Sequence, residues 1–244
     1  IYCPQAVEDV IEMSEKYTDR IIPYANVDPR CLTNSPQAPL RDILHYFKEK
    51  GCKGVGEVMP HLAVLDPMVQ NLFACAEAEG LPVVFDGSSQ KAGDFGLYDD
   101  PGLPQLEYTL QKFPALKLFG HGPVFWSEIA RLDTVAERSV FMGPDGRQYF
   151  CLPKGPVAEE GTVPKLFRKY PNLHGDLSDA TAYNALARDE TYGPRFLSEF
   201  EDRLYFGPDI LLDELLLRWR NTGKIGETTF RKIAYENAQR LLGI

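Results

Sequence analysis

Side chains that can move protons or bind metal ions recur at the ends of apolar, strand-like segments of this sequence. They are Asp28, Glu57, Asp86, His121, Ser178 and Asp209. A carboxylate or imidazole held at the end of a strand can bind a ligand or act as an acid or base. His121 is the clearest example, because Gly120 and Gly122 flank it and leave room for a ligand to approach closely.

The elements that must position these side chains alternate between strand and helix. Predicted strands cover 20–27, 52–59, 81–86, 116–121, 172–178 and 203–209. Helical patterns follow each of them, including helices predicted at 124–133 and 226–242. This alternation predicts a parallel sheet with helices outside it. The GxGxxG motif of a dinucleotide-binding sheet is absent, and a (β/α)8 barrel gathers polar strand ends at one face. The sequence therefore predicts an α/β fold, a (β/α)8 TIM barrel, in preference to a doubly wound sheet.

The alternation is interrupted once, at about 140–162. Gly143-Pro-Asp-Gly146 is a strong turn signal between two short apolar segments, so we expect a surface hairpin or an ordered insertion there. We predict that 1–244 forms a single domain that carries this insertion. The long, glycine-containing loop 87–100 follows a strand at the functional end of the barrel, and we expect it to act as a lid.

The amino-acid composition limits the classes of binding partner that we expect for this protein. The net charge of −9 argues against nucleic acid as a partner, and no apolar run is long enough to span a membrane. The five cysteines are widely spaced without a CxxC pair, which predicts free thiols in a reducing, cytoplasmic compartment. We expect a small-molecule substrate and leave a homo-oligomer open. The sequence begins at Ile1 without an initiator Met, so we expect that the N-terminus was processed or that this sequence starts partway into a longer chain.

Eight segments, in order along nearly the whole chain, resemble the amidohydrolase-related (amidohydrolase 2) family. This family contains metal-dependent hydrolases and decarboxylases with (β/α)8 barrels, including aminocarboxymuconate-semialdehyde decarboxylase. The segments are IPYANVDP (22–29), GVGEVMP (54–60), DPM (66–68), EGLPVVF (79–85), FGHG (119–122), YPNLHGDLS (170–178), LYFGPD (204–209) and IAYENAQRLL (233–242). Their order and spacing carry the resemblance. It implies that the chain contains strands 3 to 8 of the barrel, and that strands 1 and 2 would precede Ile1.

The resemblance also implies a divalent metal ion, with Zn²⁺ as the first expectation. Asp209 would bind the metal and act as general base, and His121 would orient or protonate the substrate. Asp86 stands where the family usually places a metal-binding histidine, and Glu57 is a further candidate ligand. The HxH pair of metal ligands that the family carries on strand 1 does not occur in this sequence.

Each metal-site candidate has a structural alternative. Asp209 could cap the helix predicted to begin near Leu211, and Asp86 could cap the loop at Gly87. Glu57 could form an ion pair with Lys117 on a nearby strand.

The candidates for substrate binding are His61, Ser178 and Trp126. His61 follows a predicted strand directly, Ser178 ends one, and Trp126 could form an apolar wall, although core packing is the usual role of such a residue. His174 lies earlier in its strand than His121 does, so we expect it to pack beneath the site.

The preferred function is a metal-dependent hydrolase of the amidohydrolase superfamily, which acts on a small amide, lactone or related carbonyl compound through metal-activated water. One alternative within the family is non-oxidative decarboxylation of an aromatic or unsaturated acid. Another alternative is a non-catalytic barrel with a degenerate metal site, because the HxH pair is absent and position 86 is an aspartate.

Overall fold

The computed structural model describes residues 6–91, 96–145, 148–207 and 213–244. The strands in chain order are β1 (Val55–Val58), β2 (Val83–Ser88), β3 (Leu97–Tyr98), β4 (Leu118–His121), β5 (Val140–Met142), β6 (Gln148–Phe150), β7 (Leu173–Asp176) and β8 (Leu204–Tyr205). Six of them form one parallel sheet in the order β1-β2-β4-β7-β8, with β3 paired to the end of β2. The predicted parallel α/β architecture is confirmed.

Helices connect these strands. They are α1 (Val7–Lys16), α2 (Leu40–Glu49), α3 (Pro67–Glu79), α4 (Pro104–Lys112), α5 (Gly122–Ser127), α6 (Thr162–Lys169), α7 (Ala180–Ala187), α8 (Tyr192–Glu199), α9 (Asp213–Asn221), α10 (Glu227–Arg231) and α11 (Asn237–Leu242). A 3₁₀ turn spans Val135–Arg138, and a π-helical turn at Lys232–Glu236 joins α10 to α11. None of the helices in the described ranges has the length and apolar character of a membrane span.

Local sequence signals set several helix ends. Asp66 caps α3 by accepting a hydrogen bond from the Met68 amide at 2.8 Å, and Pro67 occupies the first turn. Gly80 ends the same helix with a left-handed φ of 67°, which glycine adopts without steric cost. Asp179 caps α7 by accepting hydrogen bonds from the amides of Thr181 and Ala182. These caps fix where the chain leaves one strand and returns to the next.

Three predicted boundaries differ from the structure. The strand predicted at 20–27 makes a single parallel bridge, Ala25 to Val55, and Pro23 contributes only its carbonyl oxygen, which accepts from the Lys53 amide at 3.0 Å. The helix predicted at 124–133 is α5, which begins directly after β4 and ends at Ser127. The helix predicted at 226–242 contains the π-helical turn.

The hairpin predicted in the interrupted region is present. β5 and β6 pair antiparallel with Val140 opposite Phe150, and Ala130 forms an antiparallel bridge with Glu160. Residues 146–147, which the turn signal includes in part, lie outside the described ranges. The division of 1–244 into a single domain with an insertion stays a prediction.

Alternate residues of the strands face opposite sides of the sheet. Gly120 and Gly175 face the outer helices, where Phe125 of α5 and Phe167 of α6 pack against them. Phe119 faces the other side and stacks on His174, with ring centroids 4.8 Å apart. This alternation separates an outer hydrophobic layer from an inner surface. In the described part of the chain the sheet stays open, with Ala25 bridged to β1 at one end and β8 at the other.

A buried arginine ties the segment after β3 to α5 and the 3₁₀ turn. Arg138 is 2% exposed and donates to Glu128 Oε1 at 2.5 Å and to the carbonyl oxygens of Asp99 and Asp100. Glu128 in turn accepts from the Gly102 amide at 3.0 Å. Because both charged groups are buried, each depends on the other for its solvation.

We expect Arg138→Met to lower the free energy of unfolding by about 3–5 kcal/mol, because it leaves the Glu128 carboxylate buried without its partner. Urea unfolding followed by circular dichroism measures this loss. The matched control is Arg131→Met, whose side chain is 61% exposed in its ion pairs, and we expect a change of about 0–1 kcal/mol. Equal losses in the two variants would contradict the role of the buried pair.

Candidate metal and acid–base site

Four neighbouring strands bring their carboxyl-terminal side chains together on the inner surface. Asp86 of β2 pairs directly with His121 of β4, while Glu57 lies on β1 and Asp176 ends β7. Because parallel strands end at the same edge of a sheet, residues far apart in sequence become neighbours there. The sequence predicted that Asp86, His121 and Glu57 would meet, and the structure brings these three together.

Glu57, Asp86 and His121 form a candidate metal site. Each offers one ligand atom, and the three atoms all lie within 4.8 Å of one another. Asp86 is 2% exposed, and its Oδ1 atom has no hydrogen-bond partner. A buried carboxylate oxygen without a partner is costly, so this atom is suited to a cation.

A glycine makes this close approach possible. Gly122 follows His121 directly with a φ of +81°, and a Cβ atom there would lie 1.8 Å from Asp86 Oδ1. Any side chain at position 122 would therefore displace the Asp86 carboxylate. The glycine that the sequence suggested would admit a ligand makes room for the neighbouring carboxylate.

The other side of the His121 ring faces Asp176. His121 Nδ1 lies 3.2 Å from Asp176 Oδ2 and 3.4 Å from Ser178 Oγ. Trp126 donates its indole N–H to the Asp176 carbonyl oxygen at 2.9 Å. The ring is 7% exposed, so these contacts determine its orientation.

Burial and the closely spaced carboxyl groups change the pKa values of Asp86 and His121. Burial raises the pKa of Asp86 well above its usual range; the nearby charges of Glu57 and Asp179 add to this rise and that of His121 opposes it. Burial alone lowers the pKa of His121. The hydrogen bond to Asp176 and the charges of Asp176, Asp179 and Asp86 outweigh burial and raise this pKa to about 10. The imidazole therefore carries a positive charge among the carboxyl groups.

Other predicted site residues have different positions. Glu57, Asp86, His121 and Asp176 form the cluster at this site, and Ser178 joins it through its contact with His121. Trp126 is 0% exposed, so it supports Asp176 from behind and does not form an open pocket wall, which corrects the prediction of direct substrate contact. His61 is exposed on the loop after β1, outside the cluster of ligand atoms. Asp209, the predicted metal ligand and base, lies outside the described residues.

The alternatives for two residues can also be compared with the structure. Glu57 Oε1 lies 3.6 Å from His121 Nε2, whereas Lys117, its predicted partner, is exposed. Asp86 lies inside β2, and Ser88 makes the local turn contact by accepting from the Gln90 amide. The Glu57 carboxylate therefore lies towards His121, while the Asp86 carboxylate also accepts a hydrogen bond from the Gly87 amide, as its structural alternative predicts.

Asp176 is the site residue that the sequence analysis missed. The sequence predicts a strand that extends to Ser178, whereas β7 ends at Asp176. The predicted strand end is therefore Ser178, and the sequence does not single out Asp176. The signal was present, since His174 and Asp176 are two residues apart and two-residue spacing places side chains on the same face of a strand.

Two surface grooves lie away from the cluster. One lies between α3 and α4, beside Asn71 and Tyr108, and the other lies near the amino-terminal ends of the strands, beside Cys52 and Lys117. Neither groove is lined by a member of the cluster. The candidate site is therefore identified by the side chains that meet there and not by a groove.

Comparison with known proteins agrees with this fold. The structure resembles an uncharacterised TIM-barrel protein from Bordetella bronchiseptica, with a TM-score of 0.64 and 19% identity over 98% of this chain and 72% of that chain. It also resembles a probable 2-pyrone-4,6-dicarboxylic acid hydrolase from Acinetobacter baumannii with citric acid bound, with a TM-score of 0.56 and 13% identity over 97% of this chain and 78% of the other.

A third similar structure is a dihydroxybenzoic acid decarboxylase from a Polaromonas species with bound manganese and the inhibitor 2-nitroresorcinol. Its TM-score is 0.52, with 15% identity over 97% of this chain and 73% of that chain. No sequence profile of a protein family matches the chain, and no curated protein matches its sequence. At these identities the likeness shows the fold alone, and the predicted (β/α)8 barrel class is confirmed.

His174 packs beneath the site, as expected from its position in the sequence. It is 7% exposed, and its Nδ1 has no hydrogen-bond partner. Burial, with smaller contributions from Arg203 and Lys117, lowers the pKa of His174 to about 3, so the ring is neutral in the folded protein.

We expect His174→Phe to reduce the loss of stability in acid. Because the pKa is about 6.5 in the unfolded chain and about 3 in the folded one, the stabilising contribution of neutral His174 is present above pH 6.5 and falls as the pH decreases. At pH 5 the loss is about 2 kcal/mol, which the phenylalanine variant avoids. Urea unfolding at pH 7 and pH 5 measures the difference, with the exposed His61→Gln as control. An unchanged pH dependence in His174→Phe would contradict the burial of a neutral ring.

Proposed function

We propose that this protein is a metal-dependent hydrolase of the amidohydrolase superfamily that acts on a small amide, lactone or related carbonyl compound. The observation that supports this proposal most directly is that Glu57, Asp86 and His121 lie together, and that the buried Asp86 Oδ1 atom has no hydrogen-bond partner. The barrel fold supports the proposal, because barrels of this kind carry their active sites at the carboxyl ends of the strands.

The donor set is compatible with a divalent cation. Glu57 and Asp86 would hold it, together with Asp209, whose assignment rests on the sequence resemblance. Carboxylate oxygens can bind Zn²⁺, which we propose first, while an oxygen-rich set also suits Mn²⁺. The manganese-containing decarboxylase of the same fold supports testing both metals. Such a cation polarises a substrate oxygen and lowers the pKa of a coordinated water.

Side chains of this protein would transfer the protons and contact the substrate. His121 would hold a proton at Nε2, the ring nitrogen that lies 3.6 Å from Glu57 Oε1, and deliver it to the substrate. Asp209 would accept a proton as the general base. Ser178 lies beside the ring and is proposed to contact the substrate, as is His61 on the loop after β1.

The second candidate is non-oxidative decarboxylation of an aromatic or unsaturated acid. The observation that favours it is the structural likeness to a dihydroxybenzoic acid decarboxylase. In either case we propose a small-molecule substrate and a cytoplasmic location, and the location rests on the cysteine pattern of the sequence.

We expect the protein, stripped of metal with a chelator, to gain stability when Zn²⁺ or Mn²⁺ is restored. One site filled at about 100 times its Kd stabilises the fold by about 2.7 kcal/mol. Asp86→Asn should lose this gain, while its metal-free form should be at least as stable as the metal-free parent, because a costly buried carboxylate is removed. Thermal unfolding with and without metal, together with elemental analysis, measures both effects.

The matched control is Asp133→Asn, an exposed carboxylate that should respond to metal as the parent does. If the parent binds less than about 0.2 equivalents of any divalent metal and gains no stability, both enzymatic proposals fail and the non-catalytic barrel is left.

We expect Asp209→Asn to abolish turnover with the fold intact, because the amide cannot accept the proton that a carboxylate base accepts. Screening small lactones, amides and aromatic acids against parent and variant, with circular dichroism as a control for folding, measures this. Release of CO₂ separates decarboxylation from hydrolysis. A fully active Asp209→Asn would refute its role as base.

A further inference from the structure

We propose that Asp176 is the positioning residue of the site, which fixes the His121 ring through Nδ1 so that Nε2 alone exchanges protons with the substrate. The proposal deepens the proposed function and rests on it for the reaction served, whereas the contact between the two side chains can be tested without a substrate. It assigns a role to a residue that lies one strand beyond the candidate metal ligands.

Asp176 is itself held at both carboxylate oxygens. The Ser178 amide donates to Oδ1 at 3.0 Å, and the Ser178 hydroxyl donates to Oδ2 at 3.0 Å. The main chain of Asp176 is fixed as well, since the buried Trp126 indole donates to its carbonyl oxygen at 2.9 Å. A carboxylate restrained in this way can determine the orientation of a neighbouring ring.

The contacts of the ring determine which nitrogen carries hydrogen. His121 Nδ1 lies 3.2 Å from Asp176 Oδ2 and 3.4 Å from Ser178 Oγ. The carboxylate is an acceptor, and the serine oxygen is free to accept because its own hydrogen is donated to Asp176. Both neighbours therefore require an N–H at Nδ1.

The opposite nitrogen has a different environment. His121 Nε2 lies 3.6 Å from the Oε1 atom of Glu57, one of the proposed metal ligands, and this distance is longer than a good hydrogen bond. A ring flipped by 180° would turn a carbon atom towards Asp176 and lose the contact between Nδ1 and Asp176 Oδ2. Asp176 thus directs the proton-exchanging nitrogen to the reactive side of the site.

The experiment is ¹⁵N NMR of the whole protein labelled at histidine, which contains four histidines. His121→Gln identifies the His121 signals by their loss. In the parent we expect a slowly exchanging, downfield proton bonded to His121 Nδ1. Asp176→Ala should abolish this signal, and Asp176→Asn, which keeps the size of the side chain, should move it upfield and speed its exchange with water.

Asp179→Asn is the matched control, because it removes a nearby charge but retains an oxygen that can cap α7. It should keep the Nδ1 proton. Circular dichroism confirms folding, and Ser178→Ala provides a second variant that should weaken the signal if Asp176→Ala does not fold.

A parent without the Nδ1 proton, or an Asp176→Asn variant with an unchanged signal, would overturn the proposal. Absence of metal binding or turnover would overturn the proposed function but leave this signal in place, so the two failures can be distinguished. Once a substrate is found, Asp176→Asn should lower kcat more than it changes KM, because the residue orients a proton donor without touching the substrate.

Discussion

The candidate site depends on the close approach of several carboxyl groups to one imidazole. Parallel pairing of β1, β2, β4 and β7 places Glu57, Asp86 and Asp176 around His121. Carboxyl groups gathered away from water repel one another and lose hydration, so they need a positive charge nearby. The His121 ring supplies one such charge, and this explains why its pKa rises even though burial acts in the opposite direction.

Small residues allow this crowding. The chain turns from β4 into α5 without an intervening loop, and this turn passes so close to Asp86 that position 122 has no room for a Cβ atom. Gly120, two residues earlier in β4, packs against the Phe125 ring, and a Cβ atom there would lie 2.4 Å from that ring. The glycines on either side of His121 thus have separate tasks, one towards the site and one towards the outer helices.

The sequence predicts the parallel architecture and the meeting of Glu57, Asp86 and His121, because parallel strands end at one edge and each of these residues lies at or near the end of a predicted strand. It fails where a side chain's role depends on distant partners. Trp126 was predicted to line a pocket, yet its indole reaches the backbone of β7, which lies 50 residues further along the chain. Arg138 gave no signal, because its partners Glu128 and Asp99 become neighbours only when the outer segments fold together.

The charge of the site bears on the choice between hydrolysis and decarboxylation. An acid substrate would bring a further negative charge beside the carboxyl groups of Glu57 and Asp176, and like charges in a partly buried site repel. A neutral amide or lactone meets no such repulsion, and in the proposed mechanism its carbonyl oxygen would accept the proton from His121 Nε2. An acid would therefore need a bound cation between its carboxylate and the cluster, whereas a neutral substrate needs it only for activation. This difference in electrostatic demand is the physical reason for placing hydrolysis first.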